Sequence, residues 1–88
     1  MEESKELLKE VKYVKVSGYR TKVLKALNKG VKIPTGIAKD TEILTNHISA
    51  VLRQLKDHEL VECVNPEVRK GRLYRLTEKG MKVVEKLE

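Results

Sequence analysis

The stretch IPTGIAKDTEILTNHISAVLRQLKDHELVE, residues 33–62, decides how this 88-residue chain folds. Pro34 favours an extended approach, and Thr35 can cap a short helix whose inward residues are Ile37 and Ala38. Residues 41–44 make a tight turn. From about Thr45 to Asp57, Ile48, Val51, Leu52 and Leu55 recur at helical spacing. At about 100° per residue they share one side, leaving Asn46, Ser49, Ala50 and Arg53 opposite. After Asp57 the period changes, and Leu60 to Val64 reads as a strand.

Working outward, residues 65–71 (NPEVRKG) are turn material and Leu73 to Leu76 is β-like again. The pair forms a hairpin whose tip carries Arg69, Lys70 and Arg72, with Tyr74 and Leu76 inward and Arg75 outward. Thr77 caps a last helix, with Glu78 at its positive end and Met81, Val84 and Leu87 on its apolar stripe. Upstream, Leu7, Leu8 and Val11 predict an amphipathic helix over 4–12, while 13–16 fits either a continuation or a short extended piece. Ser17 caps a second helix running to Asn28, with Val23, Leu24 and Leu27 along one stripe and Gly30 ending it. The order is helix, helix, helix-turn-helix, hairpin, helix: a mainly α fold with a small β-hairpin (α+β).

Length allows one domain with a small core, burying roughly 60–65% of the unfolded chain's surface. Leu, Ile and Val supply 26 residues, too many for a disordered chain. The single Cys63 excludes an internal disulfide framework and fits a reducing, cytoplasmic setting. No apolar run approaches a membrane span, and the acidic start (Glu2, Glu3) is not a secretory signal. With Trp and Phe absent and only Tyr13, Tyr19 and Tyr74 aromatic, a base-stacking platform for single strands is disfavoured. Abundant Lys and Glu against one Gln lean toward a thermophile.

The net charge of +6 is unevenly placed. Residues 12–39 hold eight bases and no acid, and residues 68–77 hold Arg69, Lys70, Arg72 and Arg75 without an acid. Between them, residues 40–67 carry a net −4. Two basic blocks from distant segments point to a polyanion-binding face. For the first block, lysines that merely solvate helix surfaces are an equal alternative.

Three stretches together resemble the winged-helix transcription regulators, the broad group of the multiple-antibiotic-resistance and arsenical-resistance repressors, particularly small archaeal members. SGYRTKVLKAL (17–27) is similar to that domain's first core helix, residues 33–62 to its helix-turn-helix and first wing strand, and KGRLYRLTEKG (70–80) to the returning strand and following helix. The family often has Gly in the turn and before the first wing strand, where this chain has Glu42 and Glu59. A non-Gly residue there costs about 1 kcal/mol if the left-handed conformation is kept. Leu44 replaces the usual small polar cap, with Thr45 one place later, so the reading face starts at either.

The resemblance implies a winged helix-turn-helix with additional N- and C-terminal helices: 1–16 a helix and connection, 17–77 the core, 78–88 the last helix, one domain over 1–88. It implies that the helix from Thr45 enters the major groove of double-stranded DNA while the wing, 60–76, lies on the backbone or minor groove. Residue chemistry agrees. Thr45, Asn46, Ser49 and Ala50 are small and polar enough for close approach; Asn46 suits adenine, Arg53 guanine or phosphate, and Ala50 a thymine methyl. His47 on the flank can serve bases or phosphate, and Thr35 and Lys39 are candidate phosphate contacts. Arg69, Lys70 and Arg72 suit phosphates or a narrow minor groove. Against this, Asn46 and Ser49 can simply be solvated, and Arg53 can pair with Asp57 one turn on.

His47, His58 and Cys63 match no metal-ligand spacing, Cys63 reads as a core residue, and His58 as a helix-dipole partner. No cofactor motif, nucleophile–base arrangement or effector pocket is evident, so no enzyme is expected. Leu7, Leu8 and Val11 with Val83, Val84 and Leu87 exceed what a minimal winged helix must cover. In the resembled family such helices pair two subunits, which implies a homodimer with reading helices about one DNA turn (~34 Å) apart. The expected function is a homodimeric transcriptional regulator, a repressor because 88 residues leave no room for an activation domain. The rivals are a protein-interaction module of a nucleoprotein assembly and a sequence-independent chromatin protein.

Overall fold

In the computed structural model, α1 (Lys5–Lys15), α2 (Gly18–Leu27), α3 (Pro34–Thr41), α4 (Thr45–Asp57), β1 (Val61–Cys63), β2 (Tyr74–Leu76) and α5 (Glu78–Leu87) follow in the expected order. The structure describes residues 5–87. The acidic start at Glu2 and Glu3, the Ser4 end of the first expected helix and the last position of the 78–88 segment lie outside the described residues.

Of the ambiguous 13–16 segment, residues 13–15 continue the helix and Val16 falls in the turn after it. Leu7, Val11 and Val14 fall at i, i+4 and i+7, so extending α1 to Lys15 carries Val14 into the core, where it is fully buried. Ser17 caps α2, its hydroxyl accepting from the Arg20 N–H at 3.2 Å. Thr77 caps α5 by accepting from the Gly80 N–H at 3.0 Å, and its own O–H donates to the Glu59 carbonyl at 2.7 Å.

Thr35 does not cap α3. Pro34 takes the first helical position, where its missing N–H costs nothing, and this makes Ile33 the capping residue, with no side-chain bond. Thr35 falls inside the first turn. The helix continues through Thr41, so the connection to α4 is Glu42–Leu44, shorter by one residue than expected. It is that tight because Glu42 adopts φ 60° and ψ 31°. Glu59, which closes α4 before β1, has φ 61°. Both glutamates therefore hold the left-handed conformation that glycine takes without strain.

The core lies between α2 and its neighbours. Val23, Leu24 and Leu27 meet Ile37 of α3, Ile48 and Leu55 of α4, and the hairpin residues Leu60, Val61 and Leu76. β1 and β2 pair antiparallel in the register Val61↔Leu76, Glu62↔Arg75, Cys63↔Tyr74. Lys32, just before α3, bridges to the other edge of β2, exchanging bonds of 3.1 and 2.8 Å with Tyr74. The hairpin's outer half is less enclosed than the sequence implies: Cys63 is half-buried, with its thiol 3.7 Å from Asn65, and Val64 is exposed.

At the other side α1 and α5 pack on each other. The inward stripe of α5 is Gly80, Val83, Val84 and Leu87, and Met81 is displaced from it, 52% exposed. Gly80 sets this orientation. It rests on the Leu60 carbonyl, where a Cβ would collide with backbone.

Candidate nucleic-acid interface

α4 begins at Thr45 with Leu44 as a cap residue lacking any side-chain bond, so the helix's exposed polar face starts at Thr45. The N–H groups of His47 and Ile48 both bond the Leu44 carbonyl at 3.0 Å, whereas earlier ones face outward at the helix's positive end. Thr45, Asn46, His47, Ser49, Ala50 and Arg53 are all exposed, and Leu44 beside them is 68% exposed.

The two flanks of this face meet different elements. On one, His47 sits beside Tyr19 of α2 with ring centroids 5.5 Å apart, and the Arg20 Nε–H donates to Gln54 at 3.0 Å. His47 is thus held toward α2. On the other flank Ser49, Arg53 and Lys56 look across a cavity of about 300 Å³ toward Arg72 and Tyr74. The competing pair between Arg53 and Asp57 is not formed: the Arg53 side chain has no ionic or hydrogen-bond partner among the described residues.

Asn65 shapes the wing. Its side-chain oxygen accepts from the Leu73 N–H at 2.8 Å and its NH₂ donates to the Gly71 carbonyl at 3.2 Å. Gly71 itself needs φ 72°. Arg72, though exposed, is folded back onto this loop, donating from Nε to Val68 O (2.7 Å) and from Nη2 to Pro66 O (3.3 Å). Arg69 and Lys70 stand exposed at the tip with no partner among the described residues. Arg75 faces out as expected, but Glu62 across the hairpin neutralises it at 2.7 Å. It therefore drops out of the second basic block.

Thr35 and Lys39 are exposed one helical turn apart on α3. Two members of the first basic block have structural work instead. Lys32 pairs with Asp40 at 2.8 Å, holding that carboxyl below its usual range. Arg20 lies 3.8 Å over the Tyr13 ring, whose other face stacks on His58 at 3.7 Å. The remaining lysines at 12, 15, 22, 25, 29 and 39 are exposed.

The far end of α4 is anchored by a buried carboxylate. Glu10 accepts from His58 Nδ1 at 2.7 Å and from Lys79 Nζ at 2.9 Å. Burial alone would push the Glu10 carboxyl up, but the Lys79 and His58 bonds and charges outweigh it and hold it below the ordinary value. The Lys79 ammonium is correspondingly raised by Glu10. His58 is therefore a tertiary clasp as well as a helix cap.

Of the six residues expected between subunits, Val11, Val83 and Val84 are buried within this chain, and Leu7 and Leu87 pack partly against its core. The terminal helices cover each other, which uses the apolar surface that the sequence leaves apparently spare. Leu8 stays outside, 54% exposed. The sequence reading missed Lys56 and Tyr74 beside the cavity and Tyr19 beside His47. Lys56 carried a usable signal, since it follows Ser49 and Arg53 at i+7 and i+3. Among the described residues no cluster of His, Cys, Asp and Glu can hold a metal ion, and no helix is long and apolar enough to cross a membrane.

A helix-turn-helix whose second helix bares a small polar face, flanked by a basic hairpin packed on the same core, defines the winged helix-turn-helix class. The family model of that description matches residues 20–88, and the chain belongs to the winged helix-turn-helix family. Among solved structures it is similar to the homodimeric winged helix-turn-helix DNA-binding domain of a possible ArsR-family transcriptional regulator from Mycobacterium bovis. Identity is 26% over 92% of this chain and 73% of that one, with a TM-score of 0.69. No curated protein matches.

Proposed function

We propose that this protein is a sequence-reading, double-stranded DNA-binding transcriptional regulator that acts as a homodimer. The observation that carries this is the exposed face Thr45, Asn46, Ser49, Ala50 and Arg53, set between the uncapped start of α4 and the unpaired wing cations Arg69 and Lys70. α4 enters the major groove, where Asn46 reaches base edges and Arg53 reaches a base edge or a phosphate, and the wing lies on the flanking backbone or minor groove. Thr35 and Lys39 contact phosphate from α3. Repression by occupying the operator needs only this binding, so a repressor is the simplest role. The homodimeric state of the M. bovis domain supports pairing here, with exposed Leu8 as its apolar contribution from the terminal helices.

Titrating a labelled duplex between 50 and 200 mM salt tests the reading. Affinity should fall steeply with salt, and Arg69→Ala with Lys70→Ala should weaken it. Salt-insensitive binding, or binding untouched by that double variant, would favour the protein-interaction module.

A further inference from the structure

The cavity between the start of α3, the wing-side flank of α4 and β2 is lined by three cations, Arg53, Lys56 and Arg72, with Ser49 and Tyr74 and no acid. Arg53 and Lys56 have no ionic or hydrogen-bond partner among the described residues, and the Ser49 and Tyr74 hydroxyls make no hydrogen bond to them either. Arg72 spends Nε–H and one Nη2–H on wing carbonyls. Its guanidinium carries five N–H donors in a fixed fork, so Nη1 and the rest of Nη2 remain available and already oriented. Pro34 brings the positive end of α3 to the same cavity. Like charges gathered in a concave space repel one another, and an anion placed between them removes that repulsion while meeting several donors at once. About 300 Å³ is the low end for a ligand site, room for a phosphate and a small attached group.

We infer that this cavity is a phosphate seat, in which Arg53, Lys56 and Arg72 bind a phosphate group with Ser49 and Tyr74 as hydroxyl donors. The group comes either from the DNA backbone or from a free phosphate-bearing small molecule. The first source rests on the regulator reading above; the second does not. A seat joining α4 to the wing fixes the angle between them on the duplex. A free phosphate compound in the same seat competes with DNA and makes the protein responsive to it.

The test uses the full chain. Inorganic phosphate is titrated against chloride at equal ionic strength and followed by NMR, and duplex affinity is measured across salt for the wild type, Lys56→Gln and Arg53→Gln. Lys82→Gln, exposed on α5, is the control, and circular dichroism confirms that each variant folds. Saturable shifts at Ser49, Arg53, Lys56 and Arg72, weakened at least about tenfold in Lys56→Gln and competing with duplex, establish the seat for free phosphate. No saturation, but a salt slope reduced by about 0.9 in Lys56→Gln and not in Lys82→Gln, establishes it for a backbone phosphate. Phosphate saturation without any DNA binding would keep the seat and remove the regulator reading. No saturation together with an unchanged slope overturns the seat.

Discussion

The Nδ1 atom of His58, at the end of α4, lies 2.7 Å from Oε1 of Glu10 on α1, while the other Glu10 oxygen holds Lys79 of α5. One carboxylate thus ties the helix carrying the candidate reading face to both terminal helices. The clasp gives stability a defined pH dependence. The folded carboxyl titrates below its ordinary value of 4.5, so its contribution is complete above that value and disappears as pH falls through the lower folded one. Glu10→Gln should cost about 1–3 kcal/mol at pH 7. Denaturant unfolding at pH 7 and pH 3 should show the gap between wild type and variant narrowing in acid.

Glu42 and Glu59 hold left-handed backbone at φ 60° and 61°. Glu42→Gly and Glu59→Gly should each stabilise the fold by about 0.5–1 kcal/mol, the relief of strain being partly offset by a freer unfolded chain. Thermal unfolding of the single and double variants measures this, and the two sites should add because they sit in different turns.

Gly80 predicts the opposite sign. A methyl group there meets the Leu60 carbonyl, which is backbone and also accepts from the Thr77 N–H. Gly80→Ala, although a better helix former, should destabilise by about 1–3 kcal/mol because the clash cannot be relieved by a side-chain rotation.

Asn46 and the wing tip should fail in different ways. Asn46→Ala should cost about 1–3 kcal/mol on the preferred duplex and relax selection at one position. Arg69→Ala with Lys70→Ala should weaken all duplexes to a similar degree and flatten the salt dependence. Competition titrations with preferred and scrambled duplexes separate the two patterns.

Leu8 tests the pairing of subunits. Sedimentation at micromolar concentration should give twice the 10.1 kDa chain mass, and Leu8→Glu should shift it toward the monomer by placing a charge in the contact. A wild-type chain that sediments at 10.1 kDa would remove the dimer.

Both ends of α4 were legible because Ile48, Val51, Leu52 and Leu55 make an unbroken stripe between two breaks. The hairpin was legible because Pro66 and Gly71 bracket its tip. At the start of α3 only the cap departs from the sequence expectation, because cap preference favours Thr35 while the proline takes the first helical position and passes the cap to Ile33. Whether Tyr13 and Val14 continue a helix depends on what α1 packs against, which periodicity over four residues cannot show. The same blindness to partners made Val11, Val83 and Val84 look available to a second subunit when they cover their own. Within the candidate site, α4 and the wing tip were each readable as segments. Their convergence on one cavity was not, because Lys56 and Arg72 meet only through the tertiary fold.

The most direct test of the central claim is selection from a random duplex pool at about physiological salt, where non-specific binding is weak, ~10⁻⁴–10⁻⁶ M. The account predicts an enriched palindrome with half-sites about ten base pairs apart. Retention without enrichment would contradict sequence reading and indicate a chromatin-type binder, and no retention at all would contradict DNA binding itself.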